Sequence, residues 1–331
     1  MGIFGKIFGG SSLHEAARRG RVDAVRKFLD EGVDVNSLSD DGTTPLIEAC
    51  DKGQIKVIQT LLERGADPNA PSGPGSGLTP LHYAVMNGHV DVVRFLVQSG
   101  ASVHARSDYG QVPIDFIYFI DLATSQGVIE VLSDGESDLL DSGLHSAVIM
   151  GQVEAVRELL KKGANVDSRS ENGSTPLIRA AVAGQEKSVR VLLEHSAPLN
   201  ASNDVGNTAL MMACIDGHLG IAKRLIANNC DVNARSKSGG TAIHGAAESG
   251  HSTLLRLLLD SGAQANIADK HGQTPLHGAA FYGQSEVVQM LLNMRIEVNA
   301  RDKKGKTALT FALEGDHVEV VDLLESFGAT L

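Results

Sequence analysis

The chain has 331 residues, with 29 Lys and Arg against 40 Asp and Glu, a formal net charge of −11 that argues against non-specific binding of nucleic acid or anionic lipid as its main activity. With 42% hydrophobic and 21% charged residues it has the balance of a folded protein and not of a disordered chain. Aromatics are only 4%, Trp is absent and Gly numbers 36, which points away from one large core and toward thin layers of small residues.

Residues 1–10, Met-Gly-Ile-Phe-Gly-Lys-Ile-Phe-Gly-Gly, are too short and too interrupted for a secretory signal. Lys6 stands where a myristoylation motif takes Ser or Thr. Two readings stand for Ile3, Phe4, Ile7 and Phe8: insertion into a lipid surface, making a peripheral membrane or host-directed regulator, or a cap on the first folded unit of the chain. The interleaved glycines make a weak helix and favour the cap. No run approaches eighteen apolar residues, so no membrane-spanning helix is expected. Cys50, Cys214 and Cys230 are widely spaced without a CxxC pair, which suits a reducing compartment, the cytoplasm, and fits neither a disulfide framework nor a zinc ribbon.

From residue 11 the chain repeats itself. The tetrapeptides Thr44-Pro45-Leu46-Ile47, Thr79-Pro80-Leu81-His82, Thr175-Pro176-Leu177-Ile178 and Thr274-Pro275-Leu276-His277 recur in register with Thr208-Ala209-Leu210-Met211, Thr241-Ala242-Ile243-His244 and Thr307-Ala308-Leu309-Thr310. Their third positions run 144, 177, 210, 243, 276 and 309, a step of 33 each time; upstream they run 13, 46, 81 and 114. Thr is an N-cap, Pro at the first helical position loses no hydrogen bond, and a Gly closes a helix of about two turns. A second amphipathic segment comes next, such as Val90–Leu96, closing on Gly at 32, 65, 100, 163, 262 and 328. An extended Val-Asn-Ala piece and a turn such as Asp40-Asp41-Gly42 complete the unit, and the pattern reads helix, helix, hairpin.

These residues resemble the ankyrin repeat, with about ten copies, one of them degenerate, covering nearly the whole chain. The resemblance implies an all-α repeat solenoid of helix-turn-helix plus β-hairpin units of about 33 residues, forming a curved array with a concave face. Alanines at 16, 49, 84, 147, 180, 213, 246, 279 and 312 are then the small residues that let inner helices stack.

The fourth unit departs from the pattern: Ile114–Asp121 reads Ile-Asp-Phe-Ile-Tyr-Phe-Ile-Asp, and no turn precedes Leu144. Residues 142–201 align without gaps to 11–70 and are identical at about half the positions. Two accounts fit: a duplicated pair of sub-arrays, 11–135 (repeats 1–4) and 142–331 (repeats 5–10), joined by an irregular junction at 136–141, or decay of one repeat. In either case a hinge is expected at Ile117, Tyr118, Asp121, Gly127 and Gly135. Residues 71–77 hold a two-residue insertion, read as a tolerated loop or a projecting finger. Ser196, Asn229 and Arg295 replace the second closing Gly, and the left-handed backbone there costs Ser or Arg about 1 kcal/mol.

No GxxxxGK[ST], GxSxG or HExxH motif is present, and no cofactor or metal is expected. His14, His82, His145, His244 and His277 share one slot, but stacked repeats hold them about 10 Å apart, too far to share a metal. Their expected role, implied by the resemblance, is to hydrogen-bond the backbone of the neighbouring hairpin. Asn69, Asn200, Asn233 and Asn299 resemble positions that an asparagine hydroxylase modifies in some family members; the plainer reading is a brace.

The expected function is a non-catalytic, monomeric protein-interaction scaffold or adaptor that meets its partner through hairpin tips and the inner helices of the concave face. Tips are acidic early and basic late, so the candidate surface is Lys237, Lys270, His271, Lys303 and Lys304 around the aromatic pair Phe281 and Tyr282, with Ile215 and Asp216 beside them. A partner with an acidic patch is implied, and nucleic acid is not. A small-ligand or catalytic site at the fourth unit, edged by Tyr118 and Asp121, is the remaining alternative.

Overall fold

The computed structural model describes residues 12–132, 137–294 and 296–331, except the side chains of Tyr118 and Leu122. It divides into two compact units. The first runs to Ala147 and takes in Gln152–Asn165; the second takes Val148–Gly151 and Val166–Leu331.

The first unit opens with the pairs α1 (Leu13–Arg18) and α2 (Val22–Asp30), α3 (Pro45–Asp51) and α4 (Ile55–Glu63), α5 (Pro80–Met86) and α6 (Val90–Gln98). A 3₁₀ helix, Pro113–Phe119, then stands where the next inner helix is due, followed by α7 (Leu122–Leu132), α8 (Ser137–Ile149) and α9 (Val153–Lys161). The second unit is five pairs: α10 (Pro176–Val182) and α11 (Glu186–Glu194), α12 (Ala209–Ile215) and α13 (Leu219–Ala227), α14 (Ala242–Glu248) and α15 (Ser252–Asp260), α16 (Pro275–Phe281) and α17 (Ser285–Asn293), α18 (Ala308–Glu314) and α19 (Val318–Ser326). In the first unit α1 packs on α3, α3 on α5 and α5 on the 3₁₀ helix; in the second the inner helices pack in series, α10 through α18 by even numbers.

Local chemistry explains the helices. Thr44 Oγ1 accepts the Ile47 amide at 3.2 Å, and Thr175 and Thr208 cap α10 and α12 in the same way. The glycines that follow the earlier inner helices adopt left-handed backbone, as Gly53 and Gly283 show at φ 67° and 69°, and after α18 Asp316 takes that conformation at φ 55°. The repeated alanines are buried, each at most 1% exposed, so adjacent inner helices approach through methyl groups and stack Leu46, Leu81 and Leu276 between them.

The expected β-hairpins are not there. Among the described residues there is no strand, only an isolated bridge between Ser202 and Thr208. Apart from the inserted loop, where Ser72 N–H donates to Leu78 O, the connections reverse within five residues, as where Ser39 N–H donates to Thr43 O and Gly42 N–H to Ser39 O, which leaves no limbs to pair. Adjacent turns share a backbone bond, Lys237 to Val205 O or Lys303 to His271 O, and not a ladder. The array is all-α with hydrogen-bonded turns.

Side chains brace successive repeats. Asn69 Nδ2 donates to Gly100 O while its Oδ1 accepts the Ser102 amide, and Asn233 bridges Gly262 and Gln264 likewise. On the opposite side of each unit, His89, His251 and His317 Nε2 donate to Asp51 O, Ile215 O and Phe281 O. The inserted loop at 71–77 is tied on both sides: Gly73 N–H to Gly42 O and Gly75 N–H to Asp108 Oδ2.

The fourth unit has its own polar logic. Asp115 holds the slot that His82 holds one repeat earlier, is buried, and accepts the Val112 amide at 2.9 Å through Oδ2. Its Oδ1 accepts the hydroxyls of Ser142 (2.7 Å) and Ser146 (2.9 Å) from α8. Residues 137–141, read from the sequence as irregular, are the opening of α8, whose Asp141 takes the bracing role of the missing Asn by accepting the Asn165 amide at 2.6 Å. Burial raises the Asp141 pKa; the Asn165 bond opposes this and the charge of Asp138 adds to it. Ile117 is buried, and Gly127 lies inside α7, where a Cβ would come within 3.1 Å of Val90 Cγ1. Gly135 and Arg295 lie outside the described residues, as do Ile3, Phe4, Ile7 and Phe8.

Candidate partner-binding surface

The turns of the second unit are locked by the residue that opens them. Asp269 Oδ1 accepts the amides of His271 and Gln273 at 2.8 Å, and Asp302 Oδ1 those of Lys304 and Lys306 at 2.8 and 2.9 Å. Burial pushes the Asp302 carboxyl up, but the Lys306 and Lys304 amides outweigh it and hold the group below the usual carboxylate range. Each carboxylate is thus spent on its own backbone. Lys237, Lys270, His271, Lys303 and Lys304 project from these turns, all exposed, and among the described residues none of them makes an ion pair. The earlier tips of the same unit carry Glu171 and Asp204, so the change of sign falls between the turns at 204 and 237.

Beside the basic tips lies an aromatic cluster on α16 and α18. Phe281 and Tyr282 are 47% and 55% exposed and meet edge to face at 4.9 Å between centroids. Phe281 also meets Phe311 at 5.8 Å, and His277 meets Phe311 at 5.9 Å, both edge to face. The sequence reading includes Phe281 and Tyr282 and misses Phe311. Its signal was a ring placed 34 residues after an inner-helix His, and the same spacing brings His82 to Phe116 at 5.5 Å in the first unit. Ile215 and Asp216, at the end of α12, are exposed; the Ile215 side chain lies over Gly245, where a Cβ would come within 2.6 Å of its Cγ1.

The histidines are structural. His277 Nδ1 accepts the Thr274 amide at 3.1 Å, which places the proton on Nε2, facing Lys306 O at 3.3 Å. His82 and His244 do the same with Gln111 O and Gln273 O, and His14 Nε2 lies 2.8 Å from Ser37 O. Burial lowers the pKa of His82, His244 and His277, only partly offset by these carbonyls, so all three are neutral near pH 7. Among the described residues no group of three His, Cys, Asp or Glu is placed to hold a metal ion. Burial raises the thiol pKa of Cys50 strongly and those of Cys214 and Cys230 to about 12 and 11, the setting of inert cysteines. Asp121, proposed as the edge of a site at the fourth unit, borders a shallow cavity of about 360 Å³. Its carboxylate caps α7, accepting the Thr124 amide at 3.0 Å and hydroxyl at 2.8 Å.

The family profile for ankyrin repeats (3 copies) matches residues 13–107, 120–203, 197–269 and 243–330. The chain belongs to the ankyrin repeat family. The matches leave out residues 108–119, the stretch in which the 3₁₀ helix replaces an inner helix of the ankyrin pattern. No curated protein matches the chain. Among the described residues no helix is long and apolar enough to cross a membrane.

Proposed function

We propose that this ankyrin repeat protein is a non-catalytic, monomeric scaffold that binds a partner protein through the later turns and the exposed flank of α12, α14, α16 and α18. The observation that carries this reading is the coincidence of an exposed aromatic pair, Phe281 and Tyr282, with a run of unpaired cations at Lys237, Lys270, Lys303 and Lys304. Aromatic anchors ringed by charge are what protein interfaces select, and exposed lysines spent on no internal carboxylate favour an acidic partner. An overall negative protein steers such a partner only locally, which makes binding selective for a segment and not for any polyanion. Three buried thiols support a reducing, cytoplasmic setting.

Affinity capture from the native lysate compares the wild type with the combined variant Phe281→Ala, Tyr282→Ala and Lys304→Glu, after circular dichroism has shown both equally helical. A protein retained by the wild type and lost by the variant supports the reading. Retention of the same proteins by both refutes it.

A further inference from the structure

The last repeat builds a small motif from its own residues. Lys306 Nζ stands 5.4 Å from the centroid of the Phe311 ring and 2.7 Å from both carboxylate oxygens of Glu314. A cation is thus held between an aromatic face and a carboxylate. Two repeats earlier, 66 residues back, the carboxylate recurs as Glu248, but Gly240 stands in the place of Lys306 and Gly245 in that of Phe311. Among the described residues no hydrogen bond or ion pair engages the Glu248 carboxylate.

Glu248 is nonetheless surrounded. Its side chain crosses Gly278, where a Cβ would come within 2.6 Å of its Cγ, so only glycine there lets it lie flat. With Phe281, Tyr282, Phe311 and His277 it walls a hollow of about 180 Å³ over Gly278, room for one long side chain. The hollow contains no positive charge: His277 is neutral, and Asp269 adds a second negative charge to the field that, after burial, raises the Glu248 pKa.

We propose that this hollow between α14, α16 and α18 receives one arginine side chain of the partner, its guanidinium pairing with Glu248 and lying against the Phe281 and Tyr282 rings. It is the motif of Lys306, Phe311 and Glu314 completed from outside. Arginine suits the place better than lysine because its planar fork stacks on rings while it pairs with a carboxylate. The partner segment is therefore acidic with a single arginine: acidic side chains meet Lys270, Lys303 and Lys304, and the arginine enters between them. This inference rests on the reading that the later repeats bind a protein.

The test titrates the full chain with Nα-acetyl-arginine methylamide and with its neutral isostere Nα-acetyl-citrulline methylamide, following the ring resonances of Phe281 and Tyr282 by NMR. The expected result is a saturable shift with the arginine compound only, about tenfold weaker in Glu248→Gln. No saturable shift, an equal shift with citrulline, or an undiminished response in Glu248→Gln overturns the proposal. The two failures are distinguishable: the arginine probe bears on the hollow whatever the capture experiment returns, and a capture unaffected by the triple variant sinks the binding reading even where the probe binds.

Discussion

Two parts of the chain solve the same packing problem differently. At α16 and α18, the inner-helix His277 faces the next connection at Lys306 O and meets the next ring at Phe311, and the repeat pattern continues. At the fourth unit the ring is kept, His82 meeting Phe116, but the following slot is Asp115, and what faces it is α8. A carboxylate has no proton to give a carbonyl, so it takes two instead, from Ser142 and Ser146 of a helix that begins early. The slot's identity thus decides what stacks next: histidine binds a turn, aspartate binds a helix.

Substitutions sharpen that contrast. Asp115→Ala leaves the buried Val112 amide and two hydroxyls without their acceptor and is expected to cost about 3 kcal/mol in urea unfolding followed by circular dichroism. Asp115→His, which restores the common residue, gives no rescue because the Ser142 and Ser146 hydroxyls of α8, and not a carbonyl, face the slot. A full rescue would refute the account of the fourth unit.

Acid acts on the histidine slots of both regions. His82, His244 and His277 have native pKa values below 6.5, so below that pH the unfolded chain binds more protons than the folded one. Stability is fully present above pH 6.5 and falls as pH drops through the window beneath it. Melting temperature measured from pH 7.5 to 5.5 shows the decline, and His277→Asn flattens it; a curve unchanged by that variant contradicts the assignment of a neutral histidine.

Smaller effects lie in the second unit. Ser196 has φ 62°, the left-handed region that most of its equivalents, such as Gly163 and Gly262, fill with glycine, and Ser196→Gly is expected to stabilise by about 1 kcal/mol. Ser188, fully buried in α11, has a hydroxyl without a hydrogen-bond partner among the described residues. Ser188→Ala is therefore expected to be neutral or stabilising by up to about 1 kcal/mol in the same urea assay, and a loss larger than that would show that the hydroxyl is bonded after all.

The helices were legible because their signals are local: Thr44 caps within three residues and Gly53 turns the chain where it stands. The histidine braces followed from the repeat period, which places each His beside the same backbone in every copy. Strand content was not legible, since a strand exists only where a second limb pairs with it and these turns leave none. The partners of Asp115 lie 27 and 31 residues away on a helix that starts ahead of the repeat pattern, and Phe311 joined the candidate surface only through contact with Phe281. Long-range polar pairing and ring contact are properties of the packed chain.

The most direct test of the central claim is amide hydrogen exchange on the full chain with and without the captured partner. The account predicts added protection at the turns 236–240, 269–273 and 302–306 and at the C-terminal ends of α12, α14 and α16. Protection confined to residues 13–132 would contradict it.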